Sequence, residues 1–217
     1  MNKIASFYTS SVGRKLLMGL TGFFLCSFLI VHLYLNLFLL KQDRGSTFDI
    51  YADFMATYPL IRPLEIILFA GFLLHAFVGG WLWIANRLAR PVRYSVNRPS
   101  ENSTLASRTA FWTGSFVLLF LVVHVNTFFV SSRFFPNGLT MYERVYEAFQ
   151  SPLYVSLYLV ALAFLAYHLK HGVQSAFQTL GLRHKKYELL INAIAVVFWL
   201  FIPIAFAVLP LYFLMAH

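Results

Sequence analysis

An all-α integral membrane fold, a five-transmembrane-helix bundle forming one domain over 1–217, is what this sequence predicts, on three observations. Of 217 residues, 59% are hydrophobic and only 12% charged, and the mean hydropathy is +0.69. One soluble core of that size could not bury so much apolar surface. Apolar runs recur five times, each long enough to cross a hydrocarbon core of about 30 Å, which takes about 20 helical residues. Charged and turn-forming residues punctuate the joints between runs.

The first run, about 15–40, ends at Lys41 to Asp43. The segment before it, MNKIASFYTSSVGRK, has neither the apolar core nor the small-residue cleavage site of a secretory signal, so this run is expected to remain a span. Pro59 and Pro63 open the second, about 62–88, and Pro91 and Pro99 follow it. The third, about 108–130, precedes Pro136, Asn137 and Gly138. Pro152 starts the fourth, about 152–178, where a missing N–H costs nothing. The fifth, about 188–213, contains Pro203 and Pro210, which are expected to bend it.

The net charge of +9 raises the question of nucleic acid, and its distribution answers it. With the N-terminus cytoplasmic, the inner segments hold Lys3, Arg14, Lys15, Arg87, Arg90, Arg93, Arg98, Arg108, Lys170, Arg183, Lys185 and Lys186 against Glu101 and Glu188, a balance of +10. The outer segments hold Lys41, Arg44, Arg62, Arg133 and Arg144 against Asp43, Asp49, Asp53, Glu65, Glu143 and Glu147, a balance of −1. The asymmetry is a topology signal that places the N-terminus inside and the C-terminus outside, and no nucleic acid is needed to explain it. The basic face can also attract an acidic partner or anionic lipid. The single cysteine, Cys26, lies within an apolar run, so one chain offers no disulfide, no covalent haem attachment and no iron–sulfur cluster.

Of seven histidines, His32, His75, His124 and His168 fall one in each of the first four spans. One intramembrane histidine is readily a polar group bonded to a neighbouring helix. Four in four successive spans fit a different need: a low-spin haem iron takes two axial imidazoles on opposite porphyrin faces, so two haems b need four histidines from facing helices. Depth suggests the pairing. His32 lies nine residues before Lys41 and His124 nine before Arg133, roughly 13 Å below the outer edge at about 1.5 Å per residue. His75 lies 13 residues after Arg62 and His168 16 after Pro152, roughly 20 and 24 Å down. The expectation is therefore His32 with His124 at an outer iron, and His75 with His168 at an inner one.

The flanking residues carry two readings. Gly71, His75 and Gly79 share a helix face, which leaves room for a flat macrocycle and equally suits helix packing in lipid. Gly172 and Ser175 share a face with His168, and Lys170, His171 and Gln174 near the inner end are candidates to meet a haem propionate, although Lys170 also suits snorkelling. His184 in a basic loop and His217 at the last position are not expected to be ligands.

SSVGRKLLMGLTG leading to VHLYLNL, then RPLEIILFAGFLLHAFVGG, LVVHVNTFF and YHLKHGVQSAFQTLG, together resemble the di-haem cytochrome b membrane anchor of succinate dehydrogenases and fumarate reductases that have one membrane subunit. The resemblance covers about residues 8 to 190 and is most specific around His75 and from His168 to Gly181. It implies five helices holding two stacked haems b in a bacterial cytoplasmic membrane, with His32, His75, His124 and His168 on the irons. It also implies a flavoprotein subunit and an iron–sulfur subunit on the cytoplasmic face, and electron transfer between the succinate/fumarate couple and a quinone, menaquinone in organisms with this arrangement. The dicarboxylate chemistry would belong to the partners. Glu65, beside Arg62 at the outer end of the second span, is the candidate to take a proton when quinol is oxidised; its plainer reading is an interfacial ion pair. Family members proposed to carry protons across the membrane have a glutamate two residues before the fourth haem histidine. That position is Ala166 here, which puts such a route in doubt.

Two alternatives differ in testable ways. The cytochrome b anchor of a hydrogenase or formate dehydrogenase also uses few helices and histidine-bound haem, whereas cytochrome b of the bc complex places two ligands on each of two helices. A haem-free transporter with relaying histidines is expected to show repeated halves with broken helices, and the hydropathy shows no such repeat.

Overall fold

The structure is a computed structural model that describes residues 10–89 and 103–215. Lys3, Arg90, Pro91, Arg93, Arg98, Pro99, Glu101 and His217, used in the sequence reading, lie outside the described residues. Among the described residues the structure is helical, with no strand.

Ser10 opens α1 (Ser11–Asn36) by accepting the Gly13 N–H at 3.0 Å, and α1 tightens into a 3-10 turn, Leu37–Leu40. A short helix α2 (Ser46–Thr57) precedes α3 (Ile61–Leu88). Thr104 caps α4 (Leu105–Val125), which continues through a π turn (Asn126–Val130) into Ser131–Phe134. Another short helix, α5 (Met141–Phe149), leads to α6 (Pro152–Thr179). The chain ends with α7 (Glu188–Val196), a π turn (Val197–Phe201) and α8 (Ile202–Met215). Five stretches, Val12–Leu40, Ile61–Leu88, Leu105–Phe134, Pro152–Thr179 and Lys185–Met215, are long and apolar enough to cross a membrane, and the chain is a multi-pass membrane protein.

The third span outruns the expected end near residue 130. Arg133 does not stop it, because the guanidinium lies 5.5 Å from the Phe129 ring centre and reaches Glu65 at 3.5 Å. Helix ends only where Phe135, held out of the helical region by Pro136, turns to φ −134°. In the fifth span the π turn falls just before Pro203, where a ring without an N–H requires the preceding turn to open.

The two short helices lie in what the hydropathy reads as joints, and they cap one end of the bundle. A capping box starts α5: Thr140 Oγ1 accepts the Glu143 N–H at 3.2 Å and Glu143 Oε2 accepts the Thr140 N–H at 2.8 Å. Asp49 of α2 accepts the Tyr142 N–H at 2.8 Å, joining the two. The turn into α2 is held by Asp43, which accepts N–H groups from Gly45 (3.2 Å) and Thr47 (3.1 Å) as well as the Thr47 hydroxyl. That hydroxyl, with the two N–H groups and Lys41, holds the Asp43 carboxyl below the usual carboxylate range. Phe48, Val145 and Phe149 then pack with Leu39, Tyr158 and Phe213 in a buried cluster beneath the cap.

Four helices form a ring in which α1 touches α3, α3 touches α4, α4 touches α6 and α6 touches α1. The fifth span, α7 with α8, packs on the outside of α6, where Ala195 is fully buried beside Leu169 and Val173. Helices alternate in direction, so Arg14, Arg87, Arg108, Lys170 and Arg183 collect at the end opposite the cap, here the basic end.

Two glycines separate backbone demand from helix propensity. Gly45 has φ +83°, and a Cβ there would lie 2.1 Å from the Tyr142 ring, whereas Gly80 has nothing within 4 Å of such a carbon. Gly45→Ala is expected to destabilise the purified protein by at least about 1–2 kcal/mol, the left-handed penalty alone. Gly80→Ala is expected to be neutral or stabilising by up to about 1 kcal/mol. Thermal unfolding in detergent checks both, and the reverse order would contradict the docking of α5 on this turn.

Candidate functional site

Across the ring, α1 faces α4 and α3 faces α6, and each diagonal carries one pair of histidines. The His32 and His124 ring centroids are 5.8 Å apart with planes at 83°, towards the capped end. His75 and His168 are 6.2 Å apart with planes at 77°, towards the basic end. Neighbouring helix axes 8–10 Å apart put diagonals at roughly 11–14 Å. Two imidazoles reaching inward span that distance and nearly meet at the bundle axis.

This spacing can be set against the one that a shared metal needs. An imidazole–metal bond is about 2.0–2.1 Å, and adding roughly 1.1 Å from nitrogen to ring centre on each side puts axial centroids roughly 6.3 Å apart. The basic-end pair at 6.2 Å is at that value and the capped-end pair at 5.8 Å is slightly inside it, so the residues are compatible with an iron held between two imidazoles. The pairs are separate, and among the described residues no three histidine, cysteine or acidic side chains gather as a metal site.

The second nitrogen of three of the four rings is also accounted for. His168 Nδ1 lies 3.2 Å from the Ala110 carbonyl oxygen, which can only accept, so this nitrogen carries the proton and Nε2 keeps its lone pair. His75 Nδ1 lies 3.2 Å from Thr21 Oγ1, whose own hydrogen goes to the Leu17 carbonyl at 2.9 Å. The threonine oxygen therefore accepts from Nδ1–H, and Nε2 is again free to ligate. His124 Nδ1 meets the Tyr158 hydroxyl at 2.7 Å, a group able to take either role. His32 is the exception. Its Nδ1 neighbour is the Asn36 amide nitrogen at 3.5 Å, and that amide already donates to the His32 carbonyl at 2.7 Å, so the contact fixes no tautomer.

Aromatic rings surround the capped-end pair: Phe28 and Phe206 lie 5.2 and 5.7 Å from His32, and Phe120 and Phe128 lie 5.7 and 5.3 Å from His124. Gly71 and Gly79 face α1, where a Cβ on Gly71 would come within 2.7 Å of the Phe24 ring and one on Gly79 within 3.3 Å of Met18. Helix packing, one of the two readings of those glycines, accounts for both. Lys170 turns towards the fifth span, its ammonium 4.7 Å from the Trp199 ring centre, and Gln174 is exposed. Neither is brought to the histidines, whereas half-buried His171 follows His168 by three residues on an adjoining face.

Glu65 sits near the capped end with Oε2 at 3.1 Å from Arg62 and 3.5 Å from Arg133, so it ties α3 to α4. Arg62 also donates to the Ala56 carbonyl. Sequence reasoning found Arg62 and missed Arg133, which is distant in the chain. It also missed Tyr158, Thr21 and Thr113, hydroxyl residues on the neighbouring helices.

Compared with known proteins, the chain matches no family model, no curated protein and no solved structure.

Tyr158→Phe keeps the edge contacts with Phe120 (4.8 Å) and Phe149 (4.9 Å) but removes the bond to His124. It is expected to cost about 1–2 kcal/mol. The partly exposed Glu65–Arg133 pair is expected to give a coupling below about 1 kcal/mol. Denaturant unfolding of the single variants and the double-mutant cycle measures both, and a Tyr158→Phe protein as stable as the parent would show the phenol to be idle.

Proposed function

We propose that this chain is the di-haem membrane anchor of a succinate:quinone oxidoreductase, passing electrons between a flavoprotein and iron–sulfur partner and quinone in the membrane. The observation that carries the reading is the meeting of His32 with His124 and of His75 with His168 across the two diagonals, at 5.8 and 6.2 Å. The sequence resemblance around His75 and from His168 to Gly181 supports the particular enzyme. His32 and His124 hold one haem b and His75 and His168 the other. Haems held by these residues would supply one-electron transfer.

The chain's own residues do the rest. Three of the four rings are tied at Nδ1, which fixes their orientation, and at His75 and His168 the partner is an acceptor that raises ligand basicity. The apolar shell excludes water. At the capped end, Arg62 and Arg133 orient the Glu65 carboxylate, which takes a proton as menaquinol is oxidised. The basic end is cytoplasmic and docks the partner subunits, in keeping with the charge asymmetry. The protein then belongs to a bacterial cytoplasmic membrane, with dicarboxylate chemistry on its partners.

Difference spectra of the purified complex test this. Dithionite reduction should reveal two haems b per chain, one lost in His75→Ala or His168→Ala and the other in His32→Ala or His124→Ala. Glu65→Gln should lower quinol oxidation by about tenfold or more, within the range for losing a general base, with both haems retained. A colourless protein, or one that co-purifies with nickel or molybdenum in place of flavin and iron–sulfur, would sink the assignment.

A further inference from the structure

One side-chain register recurs on α1 and α4. Thr21 with Gly22, and Thr113 with Gly114, form the same pair, and in both helices a histidine follows the threonine by eleven residues, His32 and His124. Eleven residues are close to three turns, so threonine and histidine share the inward face about 16 Å apart along the axis. The hydropathy comparison of halves misses this repeat because it lies in three face positions per helix and not in broken spans.

At the basic-end level these two helices supply no histidine. They supply the hydroxyls instead: Thr21 Oγ1 lies 3.2 Å from His75 Nδ1 and Thr113 Oγ1 3.5 Å from His168 Nδ1. Both hydroxyls are back-bonded to their own helix, Thr21 to Leu17 and Thr113 to Ala110 at 3.1 Å, which leaves the oxygen as acceptor. Thr21 and Thr113 are both buried, 8% and 5% exposed. The glycine beside Thr113 makes room for the neighbouring ring, whereas the one beside Thr21 meets its ring at ordinary contact distance. A Cβ on Gly22 would lie 3.5 Å from His75 Cε1, and one on Gly114 only 2.8 Å from His168 Cε1.

We infer that Thr21 and Thr113 are positioning residues for the basic-end iron: the Thr21 oxygen accepts Nδ1–H of His75, the Thr113 oxygen stands beside the Nδ1–H of His168 that the Ala110 carbonyl accepts, and Gly114 admits the His168 ring. The inference rests on the di-haem reading. An acceptor on Nδ1–H strengthens the imidazole as a donor to iron and favours the oxidised state. Removing it should raise the potential of that haem alone. The effect should be larger at Thr21, since His168 keeps the Ala110 carbonyl as a second acceptor at 3.2 Å.

Potentiometric titration of the haem b spectrum in the purified complex decides the matter, with the basic-end component identified as the one lost in His75→Ala. Thr21→Val should shift that component upward by about tenfold in the oxidised-to-reduced ratio, about 59 mV for one electron. Thr113→Val should shift it less, Thr21→Ser should restore it, and the other component should stay in place. Gly114→Ala should displace His168 and lose or shift the same component, whereas Gly22→Ala should leave it unchanged. If Thr21→Val does not assemble, the Gly114→Ala and Thr113→Val arms decide. Two haems in the parent with the basic-end component unmoved in the valine and Gly114→Ala variants would overturn this inference alone. Absence of haem from the parent would overturn the reading beneath it.

Discussion

A neutral imidazole has one nitrogen that donates and one that accepts, and within hydrocarbon both must find partners inside the protein. Four such rings in a bundle of this size set the terms for its packing. Facing lipid, each would leave polar atoms unmatched at a cost of several kcal/mol. Directed inward across the diagonals, the rings approach one another in two pairs, and Nδ1 of His75, His124 and His168 reaches an oxygen on a neighbouring helix. On the proposed di-haem reading, a metal between the paired rings would satisfy the remaining lone pairs.

The helices around the rings share the work unevenly. α6 carries both Tyr158, which serves the capped-end pair, and His168, which belongs to the other, so a shift of this one helix would disturb both levels. It is also the helix with most buried positions, including Val155, Ala161 and Val173, and the fifth span packs along its outer face. Small residues bring helices close on both sides of α6: Ala195 of the fifth span is fully buried beside Leu169 and Val173, and Ala176 lies against Gly19 of α1. In a membrane, where burial of apolar groups between helices gains little over lipid, such close packing and interhelical hydrogen bonds are what fix helix positions. The fifth span, which brings no histidine among the described residues, packs mainly on α6 and also touches α1.

Much of this was legible in the sequence because lipid imposes simple rules. Span number follows from apolar length, and the singular histidines stand out against apolar neighbours. The depth count rested on a uniform rise, yet α1 ends in a 3-10 turn, which climbs about 2.0 Å per residue, and α4 passes through a wider π turn after His124. The equal count of nine residues thus does not measure equal heights, and it is the ring contact that pairs His32 with His124. What stayed hidden depends on helix rotation. Threonine in a span ordinarily bonds its own helix, so Thr21 and Thr113 look inert until the neighbouring histidine is in place. Arg133 and Glu65 are linked only once α3 lies against α4, and α2 and α5 are too short and polar for a hydropathy reading even though Thr140 and Glu143 spell out a capping box.

The two histidine pairs are built from different materials, and that difference gives the bundle a direction. Near the basic end the rings are braced by hydroxyl and carbonyl oxygens, acceptors that favour a more electron-rich imidazole. Near the cap, His124 has a phenol and His32 an amide nitrogen beyond good bonding range, within a shell of phenylalanines. The capped-end pair also lies towards the carboxylate that Arg62 and Arg133 hold. The two levels thus differ in the atoms around Nδ1 and not in the residue type of the paired rings, which is the same at both.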